Sequence, residues 1–321
     1  MISIAMATYN GEKYLREQLD SVLNQTITDF ELVICDDKST DSTIDILSEY
    51  AAQDKRIRYY VNPVNIGFKR NFENVIQKCK GEYIALCDQD DIWYPEHIER
   101  LYQQIGKHSI SCANSILVDK DNNSLEILLS DAEKFYVLPA DSHKLIYKVL
   151  LSGNPFQGAS MLMPTAFVHR CLPIPEGVCY HDAWFAACAC LDNGITYSFD
   201  PITRYRQHGN NVTANTNRTE KRTIRYYLHK TEDVLRGKKT LYTDRFNYIE
   251  ALRKRFGTKN KDFIYIYDFI DSLQKHSCSI YALCYIVRNY QYVATYNSNS
   301  KRGLLKDVFV WLHWRPIPNS K

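Results

Sequence analysis

The 321-residue sequence predicts an α/β protein built on a mostly parallel sheet flanked by helices. Two observations carry this. Short runs of apolar β-formers alternate three times with segments of helical periodicity between residues 2 and 87, and such alternation implies parallel pairing with right-handed crossovers. These strands also run into polar or acidic residues at their carboxyl ends, the edge at which open α/β sheets bind ligands.

Residues 2–7 read as the first strand and Thr8-Tyr9-Asn10-Gly11 as a turn. Tyr14, Leu15, Leu19, Val22 and Leu23 recur at helical spacing, ending near Gln25. Phe30 to Cys35 is a second strand that breaks into Asp36-Asp37, and Ser39-Thr40-Asp41 supplies caps for a helix reaching Ala52. Arg56 to Val61 is a third strand, Asn62-Pro63 a turn, Phe68 to Lys80 a helix and Tyr83 to Cys87 a fourth strand. Beyond Pro95 a helix is expected to Lys107, then a strand over Ile110 to Val118 and a polar excursion over 119–140. Residues 141–151 read as helical and are broken by Gly153-Asn154-Pro155. Gly158 to Met163 reads as a small-residue strand, His181 to Leu191 as a helix, and Ile195 to Phe199 and Thr203 to Arg206 as two strands. Gly209 to Asn217 reads as a mobile loop, and the pattern from Thr219 onward is helical. The expected division is an α/β body over 1–218 and a helical, basic region over 219–321.

Hydrophobic residues make up 45% of the chain and charged residues 24%, the balance of a globular protein. The net charge of +3 conceals an asymmetry: residues 1–202 hold 17 Lys/Arg against 28 Asp/Glu, or −11, and residues 203–321 hold 23 against 9, or +14. The first part suits cations and ligands, the second an anionic partner such as phospholipid, lipid-linked pyrophosphate or nucleic acid. The ten cysteines include no C-x-x-C pair and several lie in apolar stretches, so they read as reduced, mostly buried thiols of a cytosolic protein. Met1-Ile-Ser-Ile lacks the basic and long apolar regions of a signal peptide, and the apolar run Tyr281 to Val287 is too short to span a bilayer.

The chemistry concentrates at residues 84–91, I-A-L-C-D-Q-D-D, where a strand pattern meets three carboxylates. Asp88 and Asp90 are two apart, so in an extended segment both lean to one side. Carboxylates that close raise each other's pKa, which makes most sense around a cation. Hard oxygen donors suit Mg2+ or Mn2+, which commonly bring phosphates. Asp91 has a second reading as a helix start before Pro95. In a parallel sheet Thr8–Asn10, Asp36-Asp37 and Asp88–Asp90 would lie side by side as one site. An acidic pair after the second strand can accept hydrogen bonds from a base N–H or ribose hydroxyls; its other reading is capping of the next helix. No G-x-G-x-x-G follows the first strand, which counts against a dinucleotide oxidoreductase.

The strings A-T-Y-N-G, Q-T-x-x-D-F-E-L-V-I-C-D-D-K-S-T-D, N-I-G-F-K-R-N, G-E-Y-I-A-L-C-D-Q-D-D-I-W and F-Q-G-A-S-M-L resemble the family 2 glycosyltransferases of GT-A fold. H-D-A-W and Y-R-Q-H-G-N-N-V are similar to the bacterial branch that includes rhamnosyltransferases of surface polysaccharides. The motifs occur in order from Ser3 to Val212, about two thirds of the chain, and leave the C-terminal third uncovered. The resemblance implies that Thr8, Asn10 and Glu12 line a nucleotide pocket, that Asp37 with Asp36 contacts the pyrimidine or ribose, and that Asn65, Gly67 and Arg70 sit over the nucleotide. Asp88 and Asp90 would form the DxD motif, with Asp90 and His208 addressing the metal and Asp88 the ribose or a metal-bound water. Asp182 matches the general base of inverting enzymes, where an ordinary carboxylate pKa of roughly 4 suffices. His181 stands where that family commonly has Glu, which leaves open a swap of roles; Asp182 also fits a helix N-cap. Gln157 and Gly158 would face the acceptor near the donor sugar, Gln157 through its amide and Gly158 by permitting close backbone approach. Trp93 and Trp184 have two readings, as sugar-stacking rings or as core.

The resemblance thus implies an inverting, metal-dependent transfer of one sugar from a dTDP- or UDP-sugar, with dTDP-rhamnose favoured, to a glycan or polyprenyl-linked acceptor. The Q-x-x-R-W string of processive synthases is absent. A sugar-phosphate nucleotidyltransferase would need a Gly-rich basic loop after the first strand, which A-T-Y-N-G lacks, and a catalytically silent sugar-nucleotide binder has no need of Asp88, Asp90, Asp182 and His208 together. In the basic region, Leu304, Leu305, Val308, Phe309 and Leu312 form an apolar stripe beside Lys301, Arg302 and Lys306. That pattern reads as peripheral contact with an anionic membrane at the inner face of the cell membrane, or as an ordinary packed helix. No nucleic-acid-binding module accompanies it, and nucleic acid is not an expected partner.

Overall fold

The structure is a computed structural model and describes residues 1–209 apart from 134, 137, 140, 153 and 179, together with 241–257, 260–274 and 284. Its first half follows the alternation read from the sequence. Strands β1 (Ile2–Thr8), β2 (Phe30–Asp36), β3 (Ile57–Val61) and β4 (Tyr83–Cys87) alternate with helices α1 (Leu15–Leu23), α2 (Thr43–Gln53) and α3 (Phe68–Lys78). The four strands pair in parallel in the order β3-β2-β1-β4. Thr8 stands opposite Asp36, Asp36 opposite Val61, and Met6 opposite Cys87, so the strand ends share one edge.

The second half continues the same sheet with mixed pairing. It comprises β5 (Ile92–Trp93), α4 (His97–Ile105), β6 (Ile110–Val118), β7 (Ser124–Leu128), α5 (Leu129–Ala132), α6 (Leu145–Tyr147), β8 (Met161–Pro164), α7 (Thr165–Cys171), α8 (His181–Leu191) and β9 (Ile195–Arg206). The order runs on as β4-β8-β6-β9-β5, with β7 added to β6. β8 is antiparallel to both β4 and β6, β9 is parallel to β6, and β5 is antiparallel to β9. Three local expectations change here. Gly158–Ser160 is a 3-10 turn and the strand begins only at Met161. Residues 195–206 form one strand, which passes Pro201 by shifting register against β6. The polar excursion contains the hairpin strand β7, hidden from the sequence because its residues are almost all exposed and show no buried face.

Helices cover both faces of the sheet. One core layer sets α1, α2 and α4 against it through Leu15, Leu19, Leu47, Ile98 and Leu101. The other gathers α3, α7 and α8 together with α9 (Leu241–Phe256) and α10 (Lys261–Gln274). Ile249, Leu252, Phe263 and Ile266 of these last helices are buried in the same cluster as Phe185 and Ala186 of α8. Each such apolar side chain contributes about 1.5–3 kcal/mol on burial. Asp262 accepts from Lys144 Nζ at 2.6 Å and from Tyr147 Oη at 2.6 Å, closing the contact with a buried, fully partnered charge. Part of the basic region therefore shares the core of the α/β body. The eight described cysteines are free thiols, seven of them buried, as expected of reduced cysteines. Among the described residues no helix is long and apolar enough to cross a membrane. The loop over 210–217, the run Tyr281 to Val287 and the stripe over 301–321 lie outside the described residues.

Candidate active site

At the first acidic strand end both carboxylates are spent on the protein itself. Asp36 is fully buried and accepts from Thr8 Oγ1 at 2.9 Å, Ser39 N at 2.7 Å and Ser39 Oγ at 2.5 Å. Asp36 therefore fixes the turn after β2 through Ser39 and does not cap α2, whose N-cap is Ser42. Asp37, 2% exposed, accepts from Asn62 Nδ2 at 2.9 Å and from the backbone N–H groups of Ile66 and Gly67 at 2.8 Å each. It thus fixes the loop 62–67, whose turn uses Gly67 at φ +81°, a conformation that suits glycine. Asn10 Oδ1 accepts from Thr40 N and Glu12 Oε2 from Ser42 N, and both residues stay exposed on the same edge. Asn65 is exposed beside Gly67. The Arg70 guanidinium is engaged by Glu73, Glu176 and the Ile174 carbonyl.

The second acidic strand end is different. β4 delivers Asp88 and Asp90, both half-buried, and the chain then enters β5. β5 pairs with β9 at Arg204 and Thr203, which carries the following residues back over the DxD turn. His208 Nε2 comes to 2.9 Å from Asp90 Oδ2, uniting two residues 118 apart in sequence. Arg206, 1% exposed, donates from Nε to the Asp90 carbonyl at 2.9 Å and from its backbone N–H to Asp91 at 3.1 Å, and pairs with Glu17 at 2.7 Å. Its guanidinium lies 4.6 Å from the Tyr14 ring, and that ring stacks on His208 with centroids 4.9 Å apart. Gln89 pairs both ends of its amide with the Tyr9 backbone, at 2.8 and 3.0 Å, and a Cβ on Gly11 would strike it at 2.4 Å. Burial, then the charges of Asp90 and Asp182, push the Asp88 carboxyl up to about 7, with no hydrogen bond opposing them.

Asp182 begins α8 and faces this cluster. Its carboxylate accepts from Ala183 N at 2.6 Å and from the Asn154 side chain, yet burial lifts its pKa to about 6, above the ordinary value assumed from sequence. Gly158 lies directly against it: a Cβ there would stand 3.0 Å from His181 Nε2 and 3.5 Å from Asp182 Cβ. Gly158 thus lies close against the turn that carries His181 and Asp182. Gln157 is 8% exposed, donates from Nε2 to Asp91 Oδ2 at 2.8 Å and accepts from Ser115 Oγ at 2.6 Å. Its amide braces Asp91, which serves as a buried structural acceptor. Trp93 and Trp184 are core residues at 3% and 0% exposure, which corrects their sugar-stacking alternative; Trp93 stacks on His97 and Trp184 Nε1 donates to the Cys171 carbonyl at 2.8 Å.

A sheet whose strand ends present a DxD turn, a histidine closing on it and an aspartate opposite invites comparison with known proteins. The sequence profile described as Glycosyl transferase family 2 matches residues 3–168, more than half of the chain. The chain belongs to glycosyl transferase family 2. Two uncharacterized glycosyltransferases of Haemophilus influenzae are similar to it, at 28% identity over 72% of this chain and at 30% over 51%. The matched regions span 75% of the first and 62% of the second. Among solved structures, residues 1–349 of Staphylococcus aureus TarS with UDP-GlcNAc align at a TM-score of 0.57 and 16% identity, covering 91% of this chain and 81% of that one. A mannosyltransferase of Pyrobaculum calidifontis, with GDP-Man and Mn2+, aligns at 0.54 and 14% identity over 98% and 81%. The fold is the GT-A fold, and the chain is a glycosyltransferase.

Among the described residues no group of three His, Cys, Asp or Glu side chains gathers as a ready-made metal cage. The donor set nevertheless fits Mg2+ or Mn2+, hard ions that often take only one or two carboxylates and keep other ligands from phosphate and water. Asp90 offers an oxygen, His208 a nitrogen at hydrogen-bonding distance from it, and Asp88 a carboxyl whose raised pKa a cation would reverse. Arg206, Tyr14 and Gln89, which hold this arrangement, escaped the sequence reading. Arg206 had a signal: it lies two residues before His208, so an extended segment puts both on one side.

Proposed function

We propose that the chain transfers a single sugar from a nucleotide-diphosphate donor to an acceptor hydroxyl with inversion, with Asp182 as general base. The observation that carries this reading is the convergence of Asp182 with Asp88, close enough that the charge of Asp182 disfavours that of Asp88. A divalent metal held by Asp90 and His208 would supply Lewis-acid stabilisation of the diphosphate leaving group when bound. The strand-end loop at Thr8–Glu12 and the loop fixed by Asp37 would flank the nucleotide. Arg206 keeps the Asp90 backbone in place, and Tyr14 holds the His208 ring against it. Asp182, raised to about 6, is ionised at neutral pH yet more basic than a solvated aspartate. It would take the acceptor proton as the hydroxyl attacks the anomeric carbon from the face opposite the leaving group.

The donor is proposed to be dTDP-rhamnose, on the likeness of H-D-A-W and Y-R-Q-H-G-N-N-V to rhamnosyltransferases. UDP-GlcNAc and GDP-Man, bound by the structural neighbours, are the alternatives to include. Thermal shift and donor hydrolysis with dTDP-rhamnose, UDP-GlcNAc, UDP-glucose and GDP-mannose in the presence of Mn2+ test the reading. Stabilisation and slow hydrolysis of one donor, lost with EDTA, is the expected result; indifference to all four rejects it. The acceptor is proposed to be a glycan or polyprenyl-linked glycan at an anionic membrane, on the charge of +14 over residues 203–321. Removing residues 301–321 should then weaken co-sedimentation with anionic vesicles, by about 1 kcal/mol per basic residue near the surface, and the loss should shrink as salt rises. Equal sedimentation of both proteins at low salt would refute membrane contact through this segment.

A further inference from the structure

Building on the transferase reading, we propose that Phe68, Tyr180 and His181 form a subsite for the sugar ring of the acceptor. The first observation is thermodynamic. His181 is 8% exposed, and neither Nδ1 nor Nε2 has a hydrogen-bond partner, although buried polar groups in folded proteins are ordinarily satisfied. Its ring is nonetheless fixed, stacked on Phe72 with centroids 4.1 Å apart and an interplanar angle of 28°. Gly158 packs closely against its Nε2, where a Cβ would stand only 3.0 Å away. Burial lowers the His181 pKa to about 3, so the imidazole is neutral and offers one donor and one acceptor. A residue kept only for packing would do better as a hydrocarbon ring, since an unsatisfied buried nitrogen destabilises the fold.

The second observation is the surface beside it. Phe68 and Tyr180 are large aromatics left 37% and 41% exposed, with ring centroids 6.4 Å apart. The Phe68 centroid lies 6.2 Å from that of His181. Two exposed aromatic faces over a polar, neutral and unpartnered imidazole suit a pyranose, whose C–H face is apolar and whose rim carries hydroxyls. Asp182 is the next residue, so a ring held here presents a hydroxyl to the base. The two rings supply contact area and the imidazole reads a hydroxyl; His181 is a specificity-determining residue and does not replace Asp182 as base.

Saturation-transfer NMR on the full chain, with the methyl pyranosides of glucose, galactose, mannose, N-acetylglucosamine and rhamnose as probes, tests the subsite. At least one glycoside should bind, Phe68→Ala and Tyr180→Ala should each weaken it severalfold, and His181→Phe should weaken it about 2- to 12-fold, the range of one net hydrogen bond. His181→Phe should also raise Tm, because it removes unpartnered nitrogens. His181→Gln, whose amide reaches toward the Nε2 position, should restore part of the binding and guards against misfolding of the Phe variant. The proposal is overturned if none of the five glycosides binds or if the variants leave binding unchanged. It is equally overturned if Phe68→Ala and Tyr180→Ala weaken UDP or GDP binding with Mn2+ and spare the glycosides, for the pair would then belong to the donor. Glycoside binding without any nucleotide-sugar binding would instead keep the subsite and reject the transferase reading.

Discussion

The two acidic strand ends look alike in sequence and behave in opposite ways. Asp36 and Asp37 are almost wholly buried, yet six protein hydrogen bonds from Thr8, Ser39, Asn62, Ile66 and Gly67 hold them. Asp88, Asp90 and Asp182 are more exposed and far less served: His208 meets Asp90, a backbone N–H meets Asp182, and Asp88 meets chiefly other negative charge. Carboxylates satisfied by their own chain build loops. Carboxylates left in mutual repulsion at a strand end are stabilised when something positive or protonic arrives. The difference separates scaffold from chemistry within one sheet edge.

Breaking the second cluster should produce the largest effects. Asp90→Ala should abolish metal-dependent turnover and leave the fold intact, as donor-transfer assays with Mn2+ and circular dichroism would show; near wild-type transfer would remove Asp90 from the site. Asp182→Asn should lower transfer by at least about a hundredfold, the lower bound for a general base, with donor affinity nearly unchanged. The amide keeps the Ala183 contact, so comparable rates would move the base to His181. In the wild type, transfer should fall as pH drops through about 6, because Asp182 must be ionised to accept a proton. Glu133 lies near enough to raise that value, and it stays in place in the variant.

Breaking the first cluster should act on stability instead. Asp36→Ala orphans the Ser39 N–H and two hydroxyls, a loss of at least about 3 kcal/mol at roughly 1–3 kcal/mol for each unsatisfied group, measurable by chemical denaturation. Lost transfer with unchanged stability would show that Asp36 serves a ligand after all. The smallest effect is a crossover in the Asp182→Asn variant. The folded-state pKa of Asp182 is raised, so its ionisation opposes folding above about 6 and not below the unfolded value near 4. The variant should melt a few degrees above the wild type at pH 7, and the gap should close as pH falls from about 6 to 4. A constant gap across that range would assign the change to packing.

The parallel half was readable because apolar runs and helical stripes alternate without interruption from Ile2 to Cys87. Beyond it, pairing depends on a bulge at Pro201 and on a strand as short as Ile92–Trp93, neither of which has a period to detect. In the site, spacing and resemblance identified Asp88, Asp90, His208 and Asp182 by type, and the structure brings them together. What the letters could not tell was allegiance. Asp36 and Asp88 are both strand-end aspartates, and only the donors folded around them show that one is occupied. The same holds for the partners of Arg70 and Gln157, since Glu73, Glu176, Asp91 and Ser115 engage their polar atoms through contacts as distant as 106 residues in sequence.

The packing of α9 against α8 bears on how acceptor preference can be re-engineered. Tyr248 Oη donates at 2.5 Å to the carbonyl of Ala183, the residue after Asp182, and Ile249 and Leu252 lie in the core below. A chimaera joined near residue 218 would exchange this buried surface for a foreign one and disturb the turn that carries Asp182. A junction placed after Gln274 keeps both helices with their own core. Grafting of recognition modules onto this transferase therefore has a natural suture line well downstream of the last DxD-facing residue.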